Sequence, residues 1–450
     1  MKRVVLLILA FLILVFLVLL SVPVAQAVAQ IRMPASGTAW DPAAATHPAL
    51  HAQKGAWEVA LHGHATAYRA DEGGVRGEEQ WGSTNWLMGS AERALGDGAL
   101  RFRGMVSLEP VTIGGCGTPN LLQTGEVCDG QAIVDAQHPH ELFSELSASY
   151  AWRLGRGIAG GVYVAAVGGP ALGPAAFPHR ASARHNPVSP ITHHWLDATH
   201  VAFGVATLGI ESSSWRVEAS AFNGREPDDE RFDFDFAPPQ SISARIQLAP
   251  SDGLVLQVSH GRMRNAHGHV TLLPPELDCP PGPVSGLVPA HRGCHLLDQQ
   301  DLWLDVDRTT ASVSYHHPRS AGREWSVTAA WGHNEEQAHV DTDGALVEGR
   351  VDAYGGVAFG RAEYVEKSDH DLGIRPTLVQ FLGNQQRVFD LTKLVLGYAR
   401  EVSDAGGFAA SAGIAASWSR VPSDLEKLYG DRWPLGATMF FSLRPGHGIP

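Results

Sequence analysis

The sequence predicts an all-β fold: a transmembrane antiparallel β-barrel of about sixteen strands, with short periplasmic turns and long extracellular loops. Fourteen and eighteen strands are the adjacent alternatives. Three observations lead there. Short ribbons alternate apolar and polar side chains from about Trp57 to about Leu443. In Ser214-Trp215-Arg216-Val217-Glu218-Ala219-Ser220-Ala221, for example, Trp215, Val217, Ala219 and Ala221 share one side of a strand, and Arg216, Glu218 and Ser220 the other. The connections between ribbons alternate between tight and long. The amino terminus carries an export signal, and no later stretch approaches the ~18 apolar residues of a spanning helix. A ribbon with one apolar face must cover that face, and lipid outside a closed sheet does so while water stays inside.

From the amino terminus onward, Lys2 and Arg3 precede an unbroken apolar run over residues 4–20, and Ala25-Gln26-Ala27 is a small-residue cleavage pattern. Residues 1–27 are therefore expected to be a signal peptide. The run is long for one, so an uncleaved anchor is the competing expectation. Residues 28–54 hold Pro34, Pro42 and Pro48 without periodicity and are expected as a periplasmic extension before a barrel over 55–446. Tight turns are expected at 96–98, 155–157, 212–214, 251–253, 320–322 and 404–407, each between two alternating ribbons. Long connections are expected at 70–82, 113–142, 170–200, 225–240, 265–308, 338–344, 368–386 and 422–435. A single ribbon over 345–367 would put the next tight turn on the wrong side of the membrane. Breaking it at Gly355-Gly356 restores the alternation, makes the count even and places both termini in the periplasm. Soluble β-sandwiches leave the alternating loop lengths unexplained.

A formal charge of −13 gives no support for a nucleic-acid partner. The expected surroundings are outer-membrane lipid and lipopolysaccharide, with small solutes or metal ions inside. The four cysteines fall as two local pairs, Cys116/Cys128 and Cys279/Cys294, each within one long loop. Export, an even count and the absence of a C-x-x-C spacing favour two loop-closing disulfides over a zinc site.

Histidine is abundant at 22 residues, and most of them fall in the long loops. The densest piece is His193-His194-Trp195-Leu196-Asp197-Ala198-Thr199-His200. On helical turns His193, Asp197 and His200 share a face, and two imidazoles with one carboxylate suit a divalent transition metal. A polar loop whose rings bond backbone or water is the plainer alternative. In Asp135-Ala136-Gln137-His138-Pro139-His140-Glu141, the proline favours an extended segment with His138 and His140 directed alike, as a second metal pair or a strand-entry turn. His62 and His64 share a face of the first strand. The acidic loop 225–240 reads as a calcium or lipopolysaccharide contact, or as solvated surface. Arg101 and Arg216, inward on their strands, would set a transverse field against Glu109 and Glu218, or such charges would simply satisfy one another. No cofactor beyond a metal ion is expected.

None of the 22 histidines is followed by serine two residues later, and Gly-x-Ser-x-Gly and His-Glu-x-x-His are absent. Enzymatic activity is not expected, with a dispersed hydrolase triad as the alternative. Ser83-Thr84-Asn85-Trp86-Leu87-Met88, Gln137-His138-Pro139-His140-Glu141-Leu142-Phe143, the His193 to His200 phrase and Ala221-Phe222-Asn223-Gly224-Arg225-Glu226-Pro227-Asp228 resemble a family of poorly characterised bacterial outer-membrane β-barrel proteins. The resemblance covers most of the mature chain. It implies the barrel and the outer membrane, and no substrate. The residues themselves point to a passive channel or binding barrel for small solutes, divalent metal ions among them. A lipase-like hydrolase and a closed structural barrel are the competing expectations. Pores of sixteen strands often fold the third long loop inward, and here that loop is 170–200.

Overall fold

A computed structural model describes residues 34–446 except 46, 129–130, 268–303, 321–322, 337–339, 376, 378–386 and 406. The expected signal peptide, Cys279, Cys294 and the loop histidines His269, His291, His295 and His339 lie outside the described residues. No described helix is long and apolar enough to cross a membrane.

The described residues form nineteen strands. A short β1 (Leu50–Lys54) precedes β2 (Trp57–Glu72), β3 (Glu79–Leu95) and β4 (Gly98–Val106). A separate hairpin, β5 (Thr118–Cys128) and β6 (Gln131–Gln137), interrupts the series. Then come β7 (Phe143–Gly155), β8 (Ile158–Gly168), β9 (Ala202–Glu211), β10 (Trp215–Asn223), β11 (Ser241–Ser251) and β12 (Leu254–His267). The last are β13 (Leu304–Ser320), β14 (Arg323–Glu336), β15 (Asp341–Ala353), β16 (Gly356–Ser368), β17 (Val388–Ala405), β18 (Phe408–Arg420) and β19 (Leu435–Pro445). Setting aside β1 and the β5–β6 hairpin, sixteen strands make one closed antiparallel barrel. Closure runs from Gly436 opposite Glu72 to Leu443 opposite Ala65, and β1 extends that edge by pairing Leu50 with Leu61 and Lys54 with Trp57.

The expected tight turns at 96–98, 155–157, 212–214 and 251–253 each join two barrel strands, and the expected long connections at 70–82, 170–200, 225–240 and 422–435 lie at the other end. The turns at 320–322 and 404–407 and the connections at 113–142, 265–308, 338–344 and 368–386 include residues outside the described ones. The break near residue 355 falls one residue before the expected position. Ala353 pairs with Gly356, and Tyr354 (φ 51°) with Gly355 (φ 77°) forms the two-residue left-handed turn that matches the twist of a hairpin.

Side-chain parity follows the period of two. Leu208, Ile242 and Ile414 are 66, 62 and 63 % exposed on the outer wall, while their neighbours Thr207 and Ser243 are buried inside. Trp215, Trp325 and Trp331 lie on the outer parity with Val217, and Arg101 and Arg216 face inward, as the ribbons require. A one-residue slip of any strand would put its charges into the apolar band, so the register is strongly specified. A sheet without free edges, apolar outside and charged inside, is built for lipid, and this is the architecture of a transmembrane β-barrel.

The interior is packed with chain. Residues 34–45, expected as part of a periplasmic extension, turn into the lumen from the tight-turn end. Arg103 donates to the Gly37 carbonyl, Arg216 Nη1 to the Thr38 carbonyl at 2.5 Å, and the Arg216 guanidinium lies 4.9 Å from the Trp40 ring. The loop between β8 and β9 crosses the middle. At the long-loop end Leu121, Leu122, Trp195, Leu196, Leu372 and Tyr429 close over the lumen in one apolar cluster. The inward charges are not segregated into a transverse field. Arg101 pairs with Glu92, Arg103 with Glu145, Arg216 with Glu211 and Arg245 with Glu218, so each cation is neutralised where it stands. Glu109 is not opposite Arg101; it sits in the loop after β4 and serves a histidine instead.

Cys116, two residues before β5, and Cys128, the last residue of β5, form the expected disulfide, which closes the segment 116–128. Closing a loop of this length stabilises by about 3 kcal/mol in the chain-entropy account. Unreduced peptide mapping of protein from the outer membrane is expected to recover Cys116 linked to Cys128; free thiols at both positions would contradict the fold of this loop.

Candidate functional site

The β8–β9 loop is held in the lumen by bonds to the barrel wall on several sides. Arg245 donates to the Gly173 carbonyl at 2.9 Å and Gly173 N to Ser259 Oγ at 2.8 Å. Arg361 donates to the Val188 carbonyl at 2.6 Å, and both the Thr192 amide and hydroxyl reach Glu363 Oε1. Gly332 and Gly344, opposite one another on β14 and β15, make room for Trp195. A Cβ at Gly332 would lie 2.0 Å from the Trp195 carbonyl oxygen, and one at Gly344 2.8 Å from its Cβ. The indole N–H then reaches Thr342 Oγ1 at 2.9 Å. At the centre Arg180, fully buried, bridges Asp197 Oδ2 at 2.6 Å and Glu348 Oε1 at 2.7 Å.

This anchoring fixes the histidines. A short helix, His193–Leu196, stops at Asp197, whose φ of −140° leaves the helical range. His193 still reaches four residues on, donating Nδ1–H to Asp197 Oδ1 at 2.8 Å. After the stop, Ala198–His200 forms a single tight turn, and His200 Nδ1–H meets the Asp197 carbonyl at 2.8 Å. From the neighbouring loop, His140 donates Nδ1–H to Glu109 Oε2 at 2.7 Å, and that carboxylate is itself held by the His140 amide at 2.9 Å and, through Oε1, the Asn85 amide at 3.2 Å. The two loops meet where His140 Nε2 and His200 Nε2 stand 3.2 Å apart.

Acceptors at both Nδ1 positions fix the tautomers, so both Nε2 atoms present lone pairs in the neutral rings. Two lone pairs at that separation need a proton or a cation between them. Two nitrogens bound to a tetrahedral ion at about 2.0–2.1 Å stand roughly 3.3 Å apart, close to the distance here. His193 is next to the pair, its ring centroid 5.2 Å from that of His200, and His138 lies 6.3 Å from both His140 and His193. His138 Nδ1 is buried with no hydrogen-bond partner among the described residues. The adjoining cavity, about 80 Å³, is bordered by His64, Trp86, Met105, His179 and His200.

Burial, then the His193 and His140 rings, push His200 down to about 3. Burial and the Arg231 cation hold His138 well below the usual imidazole range. Burial opposes charge on His140 as well, but the Glu109 carboxylate outweighs it and raises its pKa. Asp197 is held ionised against its burial by Arg180 and His193, well below the carboxylate range.

All five expected metal residues, His138, His140, His193, Asp197 and His200, therefore converge in the lumen. Asp197 has both oxygens engaged, Oδ1 by His193 and Oδ2 by Arg180 and the Phe177 amide, which makes it an orienting group rather than an open ligand. Sequence reasoning missed Glu109 as the His140 partner and Arg180 as the anchor, since no local spacing links either to the histidines. In the acidic loop, Glu226 turns inward to His194 at 3.0 Å, while Asp228, Asp233 and Asp235 approach one another farther out.

No family model matches the chain, and no curated protein sequence does. Among solved structures, the chain is similar to a loop-deletion mutant of OmpT, an outer membrane protein of Vibrio cholerae, at 12 % identity, covering 87 % of this chain and 99 % of that one with a TM-score of 0.48. An anion-selective porin from Comamonas acidovorans matches at 10 % identity over 86 and 99 % of the two chains with a TM-score of 0.48. OprB of Pseudomonas putida matches at 10 % identity over 86 and 94 % with a TM-score of 0.49. Likenesses of this size carry no reading of function.

Proposed function

We propose that this outer-membrane barrel binds a divalent transition-metal ion inside its lumen, at the junction of the loop before β7 with the β8–β9 loop. One observation carries the reading: the two Nε2 atoms of His140 and His200, 3.2 Å apart, each with its Nδ1–H committed to an acceptor. An ion accepts both lone pairs at once, while the rings of His193, centred 5.2 Å from that of His200, and of His138, centred 6.3 Å from that of His140, border the pair without completing a third ligand as they stand. Neutral imidazole suits zinc, copper and nickel, and a carboxylate or carbonyl behind each ring raises its basicity. Water completes the coordination from the adjoining cavity.

The packing of the lumen favours capture over free diffusion. With residues 34–45 at one end, the β8–β9 loop across the middle and the Leu121 cluster at the other, a passing solute must displace side chains. The same packing favours a second reading, a closed structural barrel with no cargo. Zinc titration calorimetry of the purified barrel separates the two. The H140A/H200A double variant is expected to lose zinc affinity by on the order of tenfold or more, while H260A, a histidine on the outer side of β12, retains it. Equal affinity in wild type and double variant would favour the structural barrel.

A further inference from the structure

We propose a second and chemically different metal site on the lumen wall, formed by His62, Met88 and Met105, that takes a soft monovalent cation such as Cu(I). The three residues lie directly across from one another on adjacent strands: His62 on β2 pairs with Met88 on β3, and Met88 with Met105 on β4. Residues paired in this way project from the same face of the sheet, so the imidazole and both thioethers project to one side. Here that side is the lumen: Met88 is 2 % and Met105 6 % exposed, whereas Leu87 beside Met88 is 47 % exposed on the outer wall. His62 Nε2 and Met88 Sδ stand 3.1 Å apart. One ion reaches both, since metal–nitrogen and metal–sulfur bonds run about 2.0 Å and about 2.3 Å.

Filling an apolar core does not account for the two methionines. The chain holds only six. Among the described residues, neither Met88 nor Met105 belongs to any of the apolar clusters inside the barrel, although Met263 does. Around Met105 the neighbours on that face are polar: Arg103 lies two residues before it, and Glu145 directly opposite pairs with Arg103. A thioether beside such groups is a natural donor to a soft ion. Trp86, two residues before Met88 and inward with it, stands 5.2 Å from the His62 ring and supplies an aromatic wall where a monovalent cation is favoured. Met105 and Trp86 both border the cavity beside His140 and His200, so an ion arriving there meets nitrogen donors on one side and sulfur on the other. The ligand set differs from the first site in softness, and the two are expected to discriminate by charge and ligand type.

Silver(I) is the probe, because it is soft, monovalent and redox-silent. Full-length protein in detergent is titrated with Ag(I) and separately with Zn(II), using wild type and the volume-conserving variants M88L and M105L. The expected result is an Ag(I) affinity weaker by on the order of tenfold or more in each variant, with zinc affinity unchanged. H62Q is expected to lose Ag(I) similarly and to keep zinc. Unchanged Ag(I) affinity in M88L and M105L would overturn the proposal, and so would a parallel loss of zinc, which would mean that the substitutions act through the fold.

Discussion

Replacing Arg180 with alanine is expected to cost roughly 3–5 kcal/mol of stability and to loosen the β8–β9 loop from the lumen. Arg180 has no exposed side-chain surface, and it neutralises Asp197 from the loop and Glu348 from β15 together. Its Nη1 also donates to the Ala175 carbonyl at 3.0 Å, which ties the start of the loop to its end. Without the guanidinium two buried carboxylates remain, and the simplest relief is for the loop to withdraw toward water. The measurement is twofold. The denaturant midpoint of R180A should fall, and planar-bilayer recordings should show larger conductance steps than wild type. R180K is expected to be intermediate, because an ammonium is a point charge that cannot hold two carboxylates in a planar fork. A variant with wild-type midpoint and wild-type conductance would show that the loop is held without this residue.

Zinc affinity at the histidine junction is expected to rise with pH by about tenfold per unit through the window above 6.5, where His140 gives up its proton. The sign follows from the directions of the shifts. Glu109 raises His140, so a proton competes with the ion at its Nε2 until the pH passes above the ordinary imidazole value. His200, held down to about 3, is neutral throughout that window and adds no pH dependence to it. For the metal-free protein the two groups act oppositely. Stability contributed by charged His140 is fully present below its unfolded value and is lost as pH rises through the raised folded one. Stability associated with neutral His200 is present above about 6.5 and is lost as pH falls toward 3. Removing the carboxylate in E109Q should shift the rise in affinity to lower pH and reduce the high-pH affinity roughly 10–100-fold, as loss of a histidine-orienting partner does. Calorimetry at several pH values, on wild type and E109Q, reads both effects. A pH profile identical in the two proteins would remove Glu109 from the site.

The barrel was legible in the sequence because its determinants are local. A period of two in Trp215 to Ala221, turn residues such as Asp252-Gly253, and loop lengths that alternate are all readable within a few residues. Each decides the direction of a strand or the side its residues face. Even the break in the ribbon over 345–367 followed from parity, because an even-stranded sheet cannot close with one turn on the wrong side. The pairing of Cys116 with Cys128 was likewise a matter of proximity along the chain. The site was legible only in part. His193 and Asp197 sit four residues apart on one helical turn, so their bond was written into the spacing.

What the tertiary structure alone decided lies between segments far apart in sequence. It brought His140 against His200 across sixty positions, placed Glu109 behind one ring, and spent both Asp197 oxygens on His193, Phe177 and Arg180. It also drew residues 34–45 into the lumen, where Arg103, Arg216 and Arg245 hold Gly37 and Thr38. His62, Met88 and Met105 are brought side by side only by the register of three strands. The physical reason is the same throughout. Local periodicity tells which side of a strand a residue occupies, whereas closure of the sheet decides which residues from other strands and loops share that side and must neutralise or ligate one another there.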